Sequence, residues 1–100
     1  MFSSDNFPRL SHKEFVILEM LVGRGEMYGL EMVLNSGGEL KRGTIYITLQ
    51  RMAEKQFVES RAEYEASVSR RRYKATDFGE KLFRAQELAL RYLNMNVKRK

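Results

Sequence analysis

The segment RGTIYITLQRMAEKQ, residues 42–56, decides how the rest of the chain is read. Its apolar residues return every three to four positions, so that Ile45, Leu49, Met52 and Ala53 share one side with Tyr46 at the edge. That is the period of an amphipathic helix, expected over Arg42–Gln56. The opposite side carries Thr44, Ile47, Thr48, Arg51 and Lys55. Hydroxyls, cations and one aliphatic side chain form a surface suited to a polar, negatively charged partner.

Beyond this helix, Phe57 to Ala62 alternates, with Val58, Ser60 and Ala62 against Glu59 and Arg61. Alternation predicts a strand. Glu63 to Ser69 reads as a polar connector, and Arg70 to Ala75 as a second strand that closes a hairpin. Upstream, Ser11 and Glu14 are spaced for a capping box, so a helix starts there. Phe15, Val16, Ile17, Leu18, Met20, Leu21 and Val22 make that helix apolar almost all round, as a central core helix is, and Gly23 to Gly25 stops it. His12 lies at its polar start, in an exposed or weakly capping place. Tyr28 to Ser36 predicts a short second helix ended by Gly37 and Gly38, followed by a connector over Glu39–Lys41. Thr76 caps a last helix running to about Asn96, with Asp77 and Glu80 favourable in its first turn.

The expected fold is therefore mainly α (α+β): a winged helix-turn-helix with a C-terminal dimerisation helix. Its divisions are an N-terminal arm over 1–10, holding Pro8, Phe2 and Phe7, the winged-helix domain over 11–76, the last helix over 77–97 and a frayed basic tail over 98–100.

Composition narrows the function. A chain of 100 residues with 43% apolar content closes one core and has no room for a second. With 31% charged residues and the apolar run Phe15–Val22 broken by Glu19, neither a membrane span nor a secretion signal is expected. A cytoplasmic location and no membrane partner follow. There is no cysteine and one histidine, so neither a Cys-ligated or His-rich metal site nor a His-based triad is expected. Counting does not exclude carboxylate chemistry, but no spacing offers a convergent acid/base pair, and no metal, cofactor or catalytic residue is expected. The net charge of +5 is unevenly placed: residues 1–40 carry −3, residues 41–74 carry +5 and residues 75–100 carry +3. A concentrated basic surface fits a polyanion, with nucleic acid ahead of an anionic membrane.

In a winged helix the third helix enters the major groove, and Thr44, Ile47 and Thr48 are short enough to reach base edges there. Ile47 either covers a thymine methyl or is an incidental exposed residue. Lys41, Arg42, Arg51 and Lys55 flank that face as phosphate contacts, and Gly43 with Thr44 offers free backbone N–H groups to a phosphate oxygen. On the second strand, Arg70, Arg71, Arg72 and Lys74 add cations beside the hairpin tip. Tyr73 is expected in the core, with Arg72 and Lys74 on the other face and Arg71 escaping near the tip. The alternative for this strand is a solvated surface paired with Glu59, Glu63 and Glu65. In the last helix Phe78, Leu82, Ala85, Ala89 and Tyr92 form a stripe that Phe83, Leu90, Leu93 and Val97 widen to a half-cylinder. One domain covers too little of it, so a second copy is expected on the rest, while Leu88 and Met95 meet the arm or the other subunit. Two copies on one duplex predict a palindromic site with half-sites roughly 34 Å apart.

Three stretches resemble the PadR-like transcriptional regulators: Tyr28-Gly29-Leu30-Glu31-Met32 opening the second helix, Gly43-Thr44-Ile45-Tyr46 followed by Leu49, Arg51 and Met52, and Arg70 to Thr76 with Gly79. They occur in the family's order and cover roughly residues 15–80. The resemblance implies a homodimeric DNA-binding repressor responsive to a small-molecule effector, with one C-terminal dimerisation helix. Phe7, Phe15 and Tyr92 are rings that could stack on a planar ligand, or read as ordinary core. The resemblance also implies a backbone contact by Tyr46, for which the helical wheel allows burial equally. The sequence departs from the family at Ile47, where proline is usual, at Gln56, where glycine is frequent, and at Lys41, where a capping serine is common. An unreplaced cap costs about 1 kcal/mol. The rival to this reading is a winged-helix protein-interaction module without specific DNA binding.

Overall fold

The computed structural model describes residues 9–65 and 68–98, the side chains at 65, 68, 69 and 95–98 excepted. The elements run α1 (His12–Arg24), β1 (Met27–Tyr28), α2 (Gly29–Leu34), α3 (Ile45–Glu54), β2 (Val58–Glu65), β3 (Val68–Ala75) and α4 (Asp77–Lys98). The strands form one antiparallel sheet in the order β1-β3-β2. Four helices with a hairpin between the third and fourth make the expected α+β winged helix-turn-helix.

The helix starts follow from side chains. At α1 the Ser11 hydroxyl accepts the Glu14 N–H at 3.2 Å, and the Glu14 carboxylate accepts the Ser11 N–H at 2.8 Å. At α4 the Thr76 hydroxyl accepts the Gly79 N–H at 2.9 Å. Gly25, at φ 86°, releases the chain from α1. The core lies where α1, α2, α3, the sheet and the start of α4 meet. Ile17, Leu18, Met32, Leu49 and Met52 are fully buried there, with Leu40, Phe57, Val58, Leu82 and Phe83 around them. A Cβ at Gly79 would stand 2.0 Å from the Phe57 carbonyl oxygen, so α4 reaches the hairpin this closely only with glycine at that position.

Four expectations are corrected. The third helix is shorter than Arg42–Gln56, because Lys41 O accepts both the Thr44 N–H at 3.2 Å and the Ile45 N–H at 3.0 Å in a turn, leaving Arg42 and Gly43 before the helix. Its end is fixed by Gln56, whose N–H bonds Ala53 O while the Phe57 N–H bonds Met52 O at 2.8 Å, the paired pattern of a left-handed helix stop. Ala53 is exposed. The hairpin is longer than expected: pairing runs from Val58↔Ala75 to Glu65↔Val68, so Glu63–Glu65 and Val68–Ser69 are strand. Once register is set, backbone ladder bonds continue past the core whatever the side chains. The second helix is Gly29–Leu34, because Met27 and Tyr28 pair with Tyr73 and Arg72 as β1. A two-residue strand is too short to show alternation.

Phe2, Phe7 and Pro8 of the arm and the last two residues of the tail lie outside the described residues. The arm's end is fixed: Leu10 is buried and its N–H meets the Gln86 Oε1 at 3.4 Å on α4. Among the described residues no helix is long and apolar enough to cross a membrane.

Candidate nucleic-acid interface

The buried stripe of α3 is Ile45, Leu49 and Met52. At about 100° per residue, the direction opposite that stripe passes within about 10° of Ile47 and Glu54 and about 50° from Gln50 and Arg51 on either side. Ile47 is 53% exposed. Thr44, Thr48 and Lys55 lie further round, on the edge that faces α1, and Tyr46 lies on the edge that faces α2 and β3. The exposed face of α3 thus has two borders, and each is a cleft.

Along the first border, Ser11, Lys13 and Glu14 of α1 face Thr44, Ile47, Thr48, Arg51 and Lys55 across a cleft of about 420 Å³. Lys13 and Arg51 are exposed. Lys55 is committed in part, because its Nζ lies 2.7 Å from a carboxylate oxygen of the buried Glu14. Thr48 is half-buried, and its hydroxyl donates to Thr44 O at 3.2 Å. The expected contacts Lys41, Arg42, Gly43 and Thr44 are all exposed in and after the turn that precedes α3.

Along the second border, Tyr46, Arg70, Arg71 and Tyr73 share a cleft with Tyr28, Gly29 and Leu30. A Cβ at Gly29 would come within 2.8 Å of the Tyr46 ring, so glycine is what lets the ring lie against α2. Tyr46 nevertheless stays 48% exposed, partly packed and partly open. Arg70 lies over the Tyr28 ring at 4.2 Å, and Arg71 is exposed with its guanidinium 3.0 Å from the Ser60 hydroxyl.

With Tyr73 buried, Arg72 and Lys74 take the other face of the wing, as alternation suggests; Arg70 shares their parity and, like Arg72, lies over the Tyr28 ring. Arg72 sits on the other face in a network: it donates to the Tyr28 hydroxyl at 2.6 Å, and its Nε lies 3.1 Å from Glu63 Oε2, an ion-pair distance without hydrogen-bond alignment. Tyr28 also donates to the Glu63 carboxylate. That hydrogen bond first, and then the charges of Arg72 and Arg61, hold the Glu63 carboxyl below the usual carboxylate range against the opposing effect of burial. Lys74 lies 3.8 Å from Glu59. Arg72 and Lys74 therefore serve ion pairs across the hairpin, and Arg70 and Arg71 line the cleft beside α3.

In α4, Leu82 and Phe83 are buried in this chain's own core, where the Phe83 ring packs at a tilt against Phe15, centroids 4.9 Å apart, and Phe78 packs on Phe57 at 5.8 Å. Ala85, Ala89, Leu90, Tyr92 and Leu93 are exposed. Val97 and Met95 have side chains outside the described residues.

Sequence reasoning missed two residues. Lys13 belongs to the first cleft, and only the packing of α1 against α3 reveals it. Gln50 stands on the outward face, and the wheel could have found it: counting Ala53 as core turned the assumed outer face towards Thr44 and Thr48 and away from Gln50.

An exposed third helix bordered by a basic hairpin defines a winged-helix protein. The transcriptional regulator PadR-like family model matches residues 17–85, and the chain belongs to that family. Solved structures agree in fold. A PadR family transcription regulator from Clostridium difficile R20291 is 22% identical, with a TM-score of 0.74 over 89% of this chain and 97% of that one. A PadR-like transcriptional regulator from Bacillus cereus is 25% identical, with a TM-score of 0.70 over 87% of this chain and 88% of that one. Bacillus subtilis PadR, solved in complex with operator DNA, is 20% identical, with a TM-score of 0.68 over 76% of this chain and 46% of that one. A comparison with the curated proteins gives no match.

Proposed function

We propose that this chain is a cytoplasmic, sequence-specific repressor that binds a palindromic duplex as a homodimer, with α3 in the major groove and the β2–β3 wing along the flanking backbone. One observation carries the reading: the exposed face of α3 has a cationic cleft on each border, Lys13, Arg51 and Lys55 on one side and Arg70 and Arg71 on the other. A major groove about 12 Å wide has the same layout, base edges between two phosphate strands. Lys41, Arg42, Gly43 and Thr44 add cations and backbone N–H groups at the end of α3 that enters first.

The dimer reading rests on α4. Leu90 and Leu93 continue the stripe of Leu82 and Phe83 beyond the reach of the domain's own core, at 47% and 58% exposure. A second copy related by a two-fold axis covers that stripe and sets two α3 helices on one duplex. The test is selection of bound duplexes from a random pool. An enriched inverted repeat with half-sites about one helical turn apart is the expected result. A pool without enrichment, or no retention of any duplex at low salt, contradicts the reading. Repression is tested by placing the selected repeat over a reporter promoter, where the protein lowers output; a rise would mean activation.

A further inference from the structure

We infer that Gln50 and Ile47 read an A·T pair in each half-site, Gln50 through the adenine edge and Ile47 through a thymine methyl. This rests on the reading of α3 as the groove helix and adds to it which base the face selects. Three observations converge. Gln50 is exposed, and among the described residues its amide has no hydrogen-bond partner. Ile47, one turn earlier on the same outward face, exposes an aliphatic side chain among polar ones, and residues three apart on a helix are neighbours. Within α3 the other polar side chains near this face are less suited, and Thr44 lies before the helix begins. Thr48 gives its proton to Thr44 O, Arg51 is a cation beside Lys13 and Lys55, a grouping suited to a phosphate, and Glu54 lies at the C-terminal end of α3, where a groove helix entering by its N-terminal half is furthest from the bases.

The chemistry then selects the base. A primary amide offers one donor and one acceptor on the same carbon, which matches adenine N7 and the N6 amino group in a bidentate pair. Guanine presents two acceptors at that edge and leaves the amide oxygen unmatched. Thymine is the base that brings a methyl into the major groove, and that methyl gives Ile47 an apolar contact that water does not.

The test compares duplexes selected from a random pool by the wild type, Gln50→Ala, Gln50→Glu and Ile47→Ala. It then measures affinity for the wild-type duplex carrying 7-deazaadenine at the adenine, or uracil at the thymine. One A·T position should relax with Gln50→Ala, and turn towards C·G with Gln50→Glu, whose carboxylate accepts from the cytosine amino group. The 7-deaza substitution should weaken the wild type about tenfold and leave Gln50→Ala unchanged. Uracil should weaken the wild type and leave Ile47→Ala unchanged. Both residues are exposed, so unchanged melting curves will show that the fold is intact. An enriched repeat whose every position survives Gln50→Ala, or a wild type indifferent to 7-deazaadenine, overturns this inference and leaves the proposed function standing. A wild type that retains no duplex overturns both.

Discussion

Lys55, the residue that caps the end of α3, lies 2.7 Å from Glu14 on α1, a carboxylate only 5% exposed that also caps its own helix through the Ser11 N–H. The pair joins the start of the central helix to the end of the proposed recognition helix, so one lysine serves the fold as well as the basic surface. Lys55→Met leaves Glu14 buried beside one hydrogen bond and no cation. The expected cost is about 1–2 kcal/mol, since the lysine end is half in water. Glu14→Gln combined with Lys55→Met should recover part of that. Denaturant unfolding measures both; a Lys55→Met protein as stable as wild type would make Lys55 a purely surface cation.

Gln56 stands at φ 65°, where a side chain is strained and glycine is not. Gln56→Gly should stabilise the chain by about 0.5–1 kcal/mol, read as a higher denaturation midpoint with an unchanged slope. Destabilisation would mean that the glutamine side chain contributes more than its backbone strain costs.

The Tyr28–Glu63–Arg72 network makes stability depend on acid. The Glu63 carboxyl is held down by the Tyr28 hydrogen bond and then by Arg72 and Arg61. A carboxyl whose value is lower in the fold than in the open chain stabilises fully above the open-chain value and loses that contribution as pH falls through the folded one. Glu63→Gln should therefore melt below wild type near neutral pH, and the gap should narrow in acid. A gap that is constant with pH would remove the network from the wing's stability.

Leu90→Glu with Leu93→Glu should leave the fold intact, because both lie past the core contacts of Leu82 and Phe83. Light scattering should then find a mass near the 11.8 kDa of one chain for the variant and twice that for wild type. A variant that stays dimeric would place self-association elsewhere, and a wild type with the mass of one chain would contradict the dimer.

How far the sequence could be read depended on periodicity and on local chemistry. The capping box at Ser11 and Glu14, the core stripe Ile45–Leu49–Met52 and the hairpin were legible because each is written in neighbouring residues. Lys13 was not, because it reaches the site through the packing of α1 on α3, and β1 was not, because two residues carry no alternation. The wing arginines look alike in sequence. Only the structure, which sets the Tyr28 hydroxyl and the Glu63 carboxylate against Arg72, separates it from Arg71, exposed in the cleft beside α3. In α4 the sequence showed a face too wide for one domain, but the structure shows where that face passes from the chain's own core at Phe83 to exposed residues at Leu90.

The central claim is that two chains place two α3 helices on one duplex. Its most direct measurement is the mass of the complex formed on a selected duplex, by sedimentation across a salt series. The account predicts two chains per duplex, with affinity falling steeply as salt rises, in step with the phosphates neutralised. One chain per duplex, or no complex at about 50 mM salt where counterion release favours binding most, would contradict it.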